Sequence, residues 1–138
     1  MSASRSYSHI IERIRGAGLR PTRQRLALAK LLFDHGNRHV TAEMLHGESL
    51  RHGISVSLAT VYNTLNQFTT AGLLREIVVD GDRSYFDTNI TQHHHFYHTD
   101  SGQLQDIDGD DVEMARLPMA PEGMEIERVD VIVRVSTK

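Results

Sequence analysis

The sequence predicts an α+β chain: an N-terminal winged helix-turn-helix domain (residues 1–87) followed by a small α/β dimerisation domain (residues 88–138). Three observations predict it. Apolar residues recur at helical spacing as far as Phe68 and at strand spacing after Arg75. Asp80-Gly81 lies between two β-rich runs, which signals a hairpin. The charge also changes sign near that boundary: residues 1–75 hold ten Arg and Lys against four Asp and Glu, and residues 76–138 hold five against fourteen.

The first helix is expected over Arg5–Arg15, with Tyr7, Ile10, Ile11 and Ile14 at helical spacing and Gly16 and Gly18 as its stop. Pro21 and Thr22 open a second, with Leu28, Leu31 and Leu32 as its stripe and Gly36 at the C′ position. Thr41 caps a third that runs through Leu45 towards Leu50 and ends by Gly53. Ser57 caps a fourth, in which Leu58, Val61, Leu65 and Phe68 form one buried stripe and Gly72 is the stop. Arg75–Val79 and Arg83–Phe86 then make a hairpin about Asp80-Gly81-Asp82, which completes a winged helix-turn-helix pattern. After a link at Thr88–Gln92, strands are expected at His93–Tyr97, Gln103–Ile107 and Glu125–Val135. A short helix over Asp110–Leu117 is stopped by Pro118 and Pro121. Val129, Val131, Val133 and Val135 alternate with Arg128, Asp130 and Arg134. Three strands and one helix make a marginal core, so a symmetric homodimer that pairs the strands and buries the Val stripe is expected.

Composition excludes several classes. The chain has 138 residues, 39% hydrophobic and 24% charged, as in ordinary globular proteins. No apolar run approaches the ~20 residues of a membrane span, and MSASRSYSHI has no apolar signal core. A cytoplasmic protein with no membrane partner is therefore expected. With no Cys, disulfide scaffolds, thiol catalysis and thiolate zinc sites are excluded.

With the fourth helix's stripe inward, Ala59, Thr60, Tyr62, Asn63 and Asn66 face outward, a small polar face with no acid. Such a helix can enter a major groove, where Tyr and Thr suit the thymine methyl and Asn suits adenine. Arg20, Arg23 and Arg25, at the start of the second helix, suit phosphates. A solvated helix face is the bland alternative; the hairpin and the Arg surplus favour double-stranded operator DNA. The DNA-binding candidates are Arg20, Ser57, Thr60, Tyr62 and Asn63.

Four of nine histidines lie in His93-His94-His95-Phe96-Tyr97-His98. On a strand, His93 and His95 share one face and His94 takes the other. Asp87 and Asp106 are candidate oxygen donors, and His39 can add a nitrogen. That N/O set suits Mn, Fe, Co or Zn. Surface histidines are the alternative. The run Asp106-Ile107-Asp108-Gly109-Asp110-Asp111 fails as an EF-hand, with Gly at the fourth place and Leu117 at the twelfth.

Gly18-Leu19-Arg20-Pro21-Thr22-Arg23-Gln24-Arg25, His39-Val40-Thr41-Ala42-Glu43, Leu58-Ala59-Thr60-Val61-Tyr62-Asn63-Thr64-Leu65 and His93-His94-His95 resemble the ferric uptake regulator (Fur) family. The resemblance covers nearly the whole chain. It implies a dimeric winged-helix repressor whose DNA affinity depends on a divalent metal (Mn, Fe or Zn). His39, Asp87, His93, His95 and Asp106 match the regulatory metal site at the hinge, Tyr62 the recognition-helix tyrosine, and Arg20 a basic position near the minor groove. Family members usually carry H-x-H-x-x-C-x-x-C-G and a second Cys pair. Here His98 and Ser101 replace the first pair and no Cys follows, so no structural Cys-ligated zinc is expected. Asn63 replaces a common Arg, which implies a different operator.

The Cys-free His run resembles the iron response regulator (Irr) branch of alphaproteobacteria. That resemblance implies haem as effector, with His93, His94 and His95 as candidate ligands and a haem-synthesis enzyme as donor, and DNA binding under low iron that haem releases. It also implies no enzyme activity. The competing readings are a divalent-metal-dependent repressor or peroxide sensor on the N/O site, a small metallohydrolase or oxygenase using His93, His95 and Asp106, and a passive metal or haem store.

Overall fold

The computed structural model describes residues 3–138. Two compact units divide the chain, Met1–Ile90 and Thr91–Lys138.

In the first unit the helices are α1 (Ala3–Gly16), α2 (Arg23–Phe33), α3 (Ala42–Arg51) and α4 (Leu58–Thr70). Three of them begin as the sequence predicts. Thr22 Oγ1 accepts from Arg25 N, Thr41 Oγ1 from Met44 N and Ser57 Oγ from Thr60 N, which satisfies one orphan donor at each helix start. The end of α4 is a Schellman motif. Gly72 takes φ +85°, Leu73 N donates to Phe68 O and Gly72 N to Thr69 O. The helices pack on Ile10, Ile14, Leu28, Leu45, Leu65 and Phe68, all fully buried, with Phe86 from the sheet. Each such side chain contributes roughly 1.5–3 kcal/mol of burial.

That sheet is antiparallel, in the order β1-β3-β2, with β1 at His39–Val40, β2 at Arg75–Asp80 and β3 at Arg83–Asp87. β2 and β3 form the predicted hairpin. Asp80 pairs with Arg83, so the turn is the two residues Gly81-Asp82, and the register shifts between Val78 and Asp80.

Two local expectations are corrected in this unit, and one element is new. The helix before Gly36 stops earlier, at Phe33 with Asp34 as C-cap. Leu58 is 41% exposed and Thr64 is buried instead, because the buried stripe runs Val61, Thr64, Leu65, Phe68. β1 has no counterpart in the sequence pattern: two residues carry no readable period.

The second unit is a three-stranded sheet in the order β5-β4-β6, with β4 at His94–His98, β5 at Leu104–Ile107 and β6 at Ile132–Val135. β5 runs antiparallel to β4 and β6 parallel to it. The expected helix over Asp110–Leu117 does not form. Asp108 Oδ1 caps Asp110 N in a single 3-10 turn, Gly109–Asp111, and Val112 is already extended (φ −121°, ψ 115°). A helix that short has too few hydrogen bonds to offset its nucleation. The long last strand is also corrected: of 125–135 only 132–135 pair, and Val133 is exposed. Val131 N donates to the His94 ring at Nδ1, while Val131 O accepts from His95 N. A side chain therefore takes the amide that would extend the ladder.

Candidate functional site

The surface of α4 presents Tyr62 and Asn63 to solvent. Tyr62 is 44% exposed, and its ring stands edge-on to buried Phe86 at 6.3 Å and 88°. The hairpin thus sets the direction of the tyrosine. Tyr62 also lines a cleft of about 310 Å³ with Thr41 and Glu43 at the start of α3 and Asp82, Arg83 and Ser84 of the hairpin. Ser57 and Thr60 cap α4 jointly, since the Ser57 hydroxyl donates to Thr60 Oγ1 as well as accepting from Thr60 N. Arg20 is exposed in the loop before α2. With Thr60 and Asn63 it lines a second cleft, of about 490 Å³. Four of the five predicted DNA residues therefore share helix α4 or its cap, and Arg20 faces the same cleft as two of them.

Arg25 departs from expectation. Its guanidinium is turned onto the protein: Nη1 donates to Arg20 O (3.0 Å), and Nη2 and Nε donate to Gln67 Oε1 (2.9 and 3.3 Å). Sequence reading misses Gln67, although it lies one helical turn beyond Asn63 on the face already singled out.

Two histidine–aspartate sets follow, one in each unit. In the first, β1 and β3 pair His39 with Asp87, and His39 Nε2 lies 3.2 Å from Asp87 Oδ2. Asp87 is buried, and its other oxygen accepts from Asn89 N. The strand carrying His39 is anchored one residue earlier. Arg38 N donates to Thr88 Oγ1, Thr88 N returns a bond to Arg38 O, and the Arg38 guanidinium forks onto Glu48 and reaches Leu31 O. The hydrogen bond from Arg38 holds the Glu48 carboxyl below the usual glutamate range.

In the second unit His93, His94 and His95 are all buried. His93 and His95 lie edge to face, with centroids 4.6 Å apart. Their Nε2 atoms stand 3.5 and 3.4 Å from the same oxygen of Asp106 on β5, opposite His95 in the register. His93 Nδ1 lies 2.6 Å from Thr91 O. A carbonyl only accepts, so Nδ1 is the donor in this contact. In the neutral ring that leaves Nε2 as the nitrogen able to ligate a metal, with the other nitrogen anchored to a carbonyl. The distances to Asp106 exceed the ~2.7–2.9 Å of a charge-assisted bond. Two ring nitrogens and a carboxylate oxygen therefore face one another as donors to a cation, and their N/O chemistry fits Mn, Fe or Zn. His94 takes the opposite face and holds Val131 N.

Comparison with known proteins places these features in one family. Residues 16–134 match the model of the Ferric uptake regulator family. The Ferric uptake regulation protein of Klebsiella pneumoniae is 34% identical over 110 residues, covering 78% of this chain and 70% of that protein. That of Shigella flexneri is 37% identical over 103 residues, covering 72% and 68%. A structure of the ferric uptake regulator from Pseudomonas aeruginosa with manganese superposes with a TM-score of 0.71 at 29% identity, covering 92% of this chain and 96% of that one. No described helix is long and apolar enough to cross a membrane.

Proposed function

Since the chain belongs to the ferric uptake regulator family, whose members are metal-responsive transcriptional regulators, we propose that it is an iron-responsive regulator that binds promoter operators as a homodimer. The DNA-binding residues in this reading are Arg20, Ser57, Thr60, Tyr62 and Asn63. The observation that carries it is the α4 surface: an exposed Tyr62 aimed by Phe86, beside Asn63, with no acidic residue on the helix. Two open strand edges in the second unit, β5 and β6, and an exposed Val133 support self-association through that unit.

His39, Asp87, His93, His95 and Asp106 would hold a divalent ion. When bound, the ion supplies the positive charge that lets these carboxylates and neutral imidazoles share one site. In this reading, binding of the ion would be coupled to operator affinity. A change of one or two orders of magnitude in operator affinity needs only ~1.4–2.8 kcal/mol of such coupling.

The finer reading is the Irr branch, in which haem, supplied by a haem-synthesis enzyme, engages His93, His94 and His95 and releases the DNA. The Cys-free histidine run supports it. All three imidazoles are buried, and His94 would be free to hold haem only if its bond from Val131 N opened.

The test is fluorescence anisotropy on promoter duplexes with Mn(II), with haem and with neither. Mn(II) should tighten binding and haem should weaken it. Tyr62→Ala with Arg20→Ala should weaken it at least tenfold while the circular dichroism is retained. Unchanged binding in that double variant refutes the DNA face. Release by peroxide but not by haem selects the peroxide-sensor reading.

A further inference from the structure

We propose that Arg25 is a positioning residue for DNA recognition, a strut whose forked guanidinium ties the loop carrying Arg20 to the recognition helix through Gln67. The inference rests on the reading above, that α4 and Arg20 meet DNA. An Arg near a nucleic-acid face is ordinarily assigned to a phosphate. The geometry assigns this one inward. Its planar head donates along two directions at once, to Arg20 O on one side and to Gln67 Oε1 with two nitrogens on the other.

Both ends of the strut matter. Arg20 O accepts from Thr22 N as well as from Arg25 Nη1, so both lone pairs of that carbonyl are directed. The backbone at residue 20 is held just after Gly18, whose φ of +82° turns the chain out of α1. Gln67 sits one turn after Asn63 on α4, and both line the 490 Å³ cleft with Arg20 and Thr60. The strut therefore sets the separation between the point from which the Arg20 side chain projects and the helix that carries Asn63. Two readers of one duplex must keep a fixed register, and that register is what Arg25 controls.

Lysine keeps the charge and loses the planar fork, so charge and geometry can be separated. The probe is the duplex that the wild-type chain selects from a randomised DNA pool with Mn(II), followed by anisotropy over a salt series. Arg25→Lys should bind about tenfold more weakly and discriminate less against single base-pair changes. The slope of log affinity against log salt should stay at the wild-type value. Gln67→Met should reproduce the loss, and the double variant should lose no more than the worse single one. Thermal melts of the variants check that the fold is retained.

A direct ion pair with phosphate gives the opposite pattern. Arg25→Lys then binds like wild type, Gln67→Met is silent, and Arg25→Met lowers the slope by about 0.9 for each phosphate left without its cation. Any of those results overturns the strut. If Tyr62→Ala and Arg20→Ala weaken binding while Arg25→Lys does not, the strut alone fails. If Tyr62→Ala leaves affinity and sequence preference unchanged, the DNA face fails and the strut with it.

Discussion

The two units bury different chemistry. The first buries an aliphatic and aromatic cluster that runs from Ile10 through Phe68 to Phe86. In the second the buried residues are Tyr97, Ile107 and three imidazoles, His93, His94 and His95. A cluster of the first kind is stabilised by leaving water, whatever the solution contains. Buried ring nitrogens are stabilised only by what they bond to. If the proposed metal site is right, the contrast separates a unit that holds its shape by packing from one whose stability should rise with a bound ligand.

The most direct way to break the contrast is in the first unit. Phe68→Ala removes a fully buried ring that also lies 6.4 Å from Phe33. It should cost about 3–5 kcal/mol, read by urea denaturation. A loss below about 1 kcal/mol would mean that packing does not govern this unit.

The second unit should answer to metal instead. With free Mn(II) at about one hundred times its dissociation constant, stability should rise by ~2.7 kcal/mol. Hydrogen exchange of the β4 and β5 amides should slow accordingly. His95→Ala should abolish the effect, whereas Phe68→Ala should leave the slowing of those amides intact. Equal slowing in wild type and His95→Ala would detach the histidines from metal binding.

The same contrast explains what the sequence made legible. The winged helix was readable because its signals are local and redundant: a hydroxyl cap before each of α2, α3 and α4, a helical stripe, and Asp-Gly in the hairpin. Leu58, expected in the buried stripe, lies in the first turn of α4, where the stripe is only beginning. The second unit misled where pattern alone had to decide. The valine alternation reads as one long strand, yet pairing begins only at Ile132, because His94 takes the amide of Val131. The histidine and aspartate donors were readable as types. Their arrangement within each unit came only with the register that sets His39 opposite Asp87 and His95 opposite Asp106. The turning inward of Arg25 had no sequence signal beyond the position of Gln67.

A smaller effect is expected where the first unit supports the strand carrying His39 by charge. Glu48→Gln weakens the fork from Arg38, the residue before His39, and should cost about 1 kcal/mol or less because the pair is partly solvated. Its pH dependence has a definite sign. The folded carboxyl titrates below the unfolded one, so the contribution is fully present above the usual glutamate value and is lost as pH falls through the folded value. Denaturation midpoints measured down through that acidic window should fall more steeply in wild type than in Glu48→Gln. Parallel curves would remove Glu48 from the acid response.

The smallest effect should come from the turn after β4. That turn runs from His98, the last residue of the strand, through Ser101 to Gly102. It is closed here by hydrogen bonds. Gly102, at φ +75°, donates to His98 O, His98 Nε2 bonds to Gln105 Oε1, and Thr99 N donates to Val135 O. Asp100 Oδ2 accepts from Thr137 N at 2.9 Å, and that backbone bond holds the carboxyl below its usual value. The group is fully exposed, so water competes for the same bond. The consequence is local: Asp100→Asn should speed exchange of the Thr137 amide severalfold and leave the global melt unchanged. Because the folded carboxyl is the stronger acid, wild type should reach the same fast exchange, after correction for the intrinsic rate, only as pH falls through the folded value. Equal protection in Asp100→Asn would show that the β6 end is held by the Thr99–Val135 bond alone, and that the aspartate charge plays no part in closing the turn.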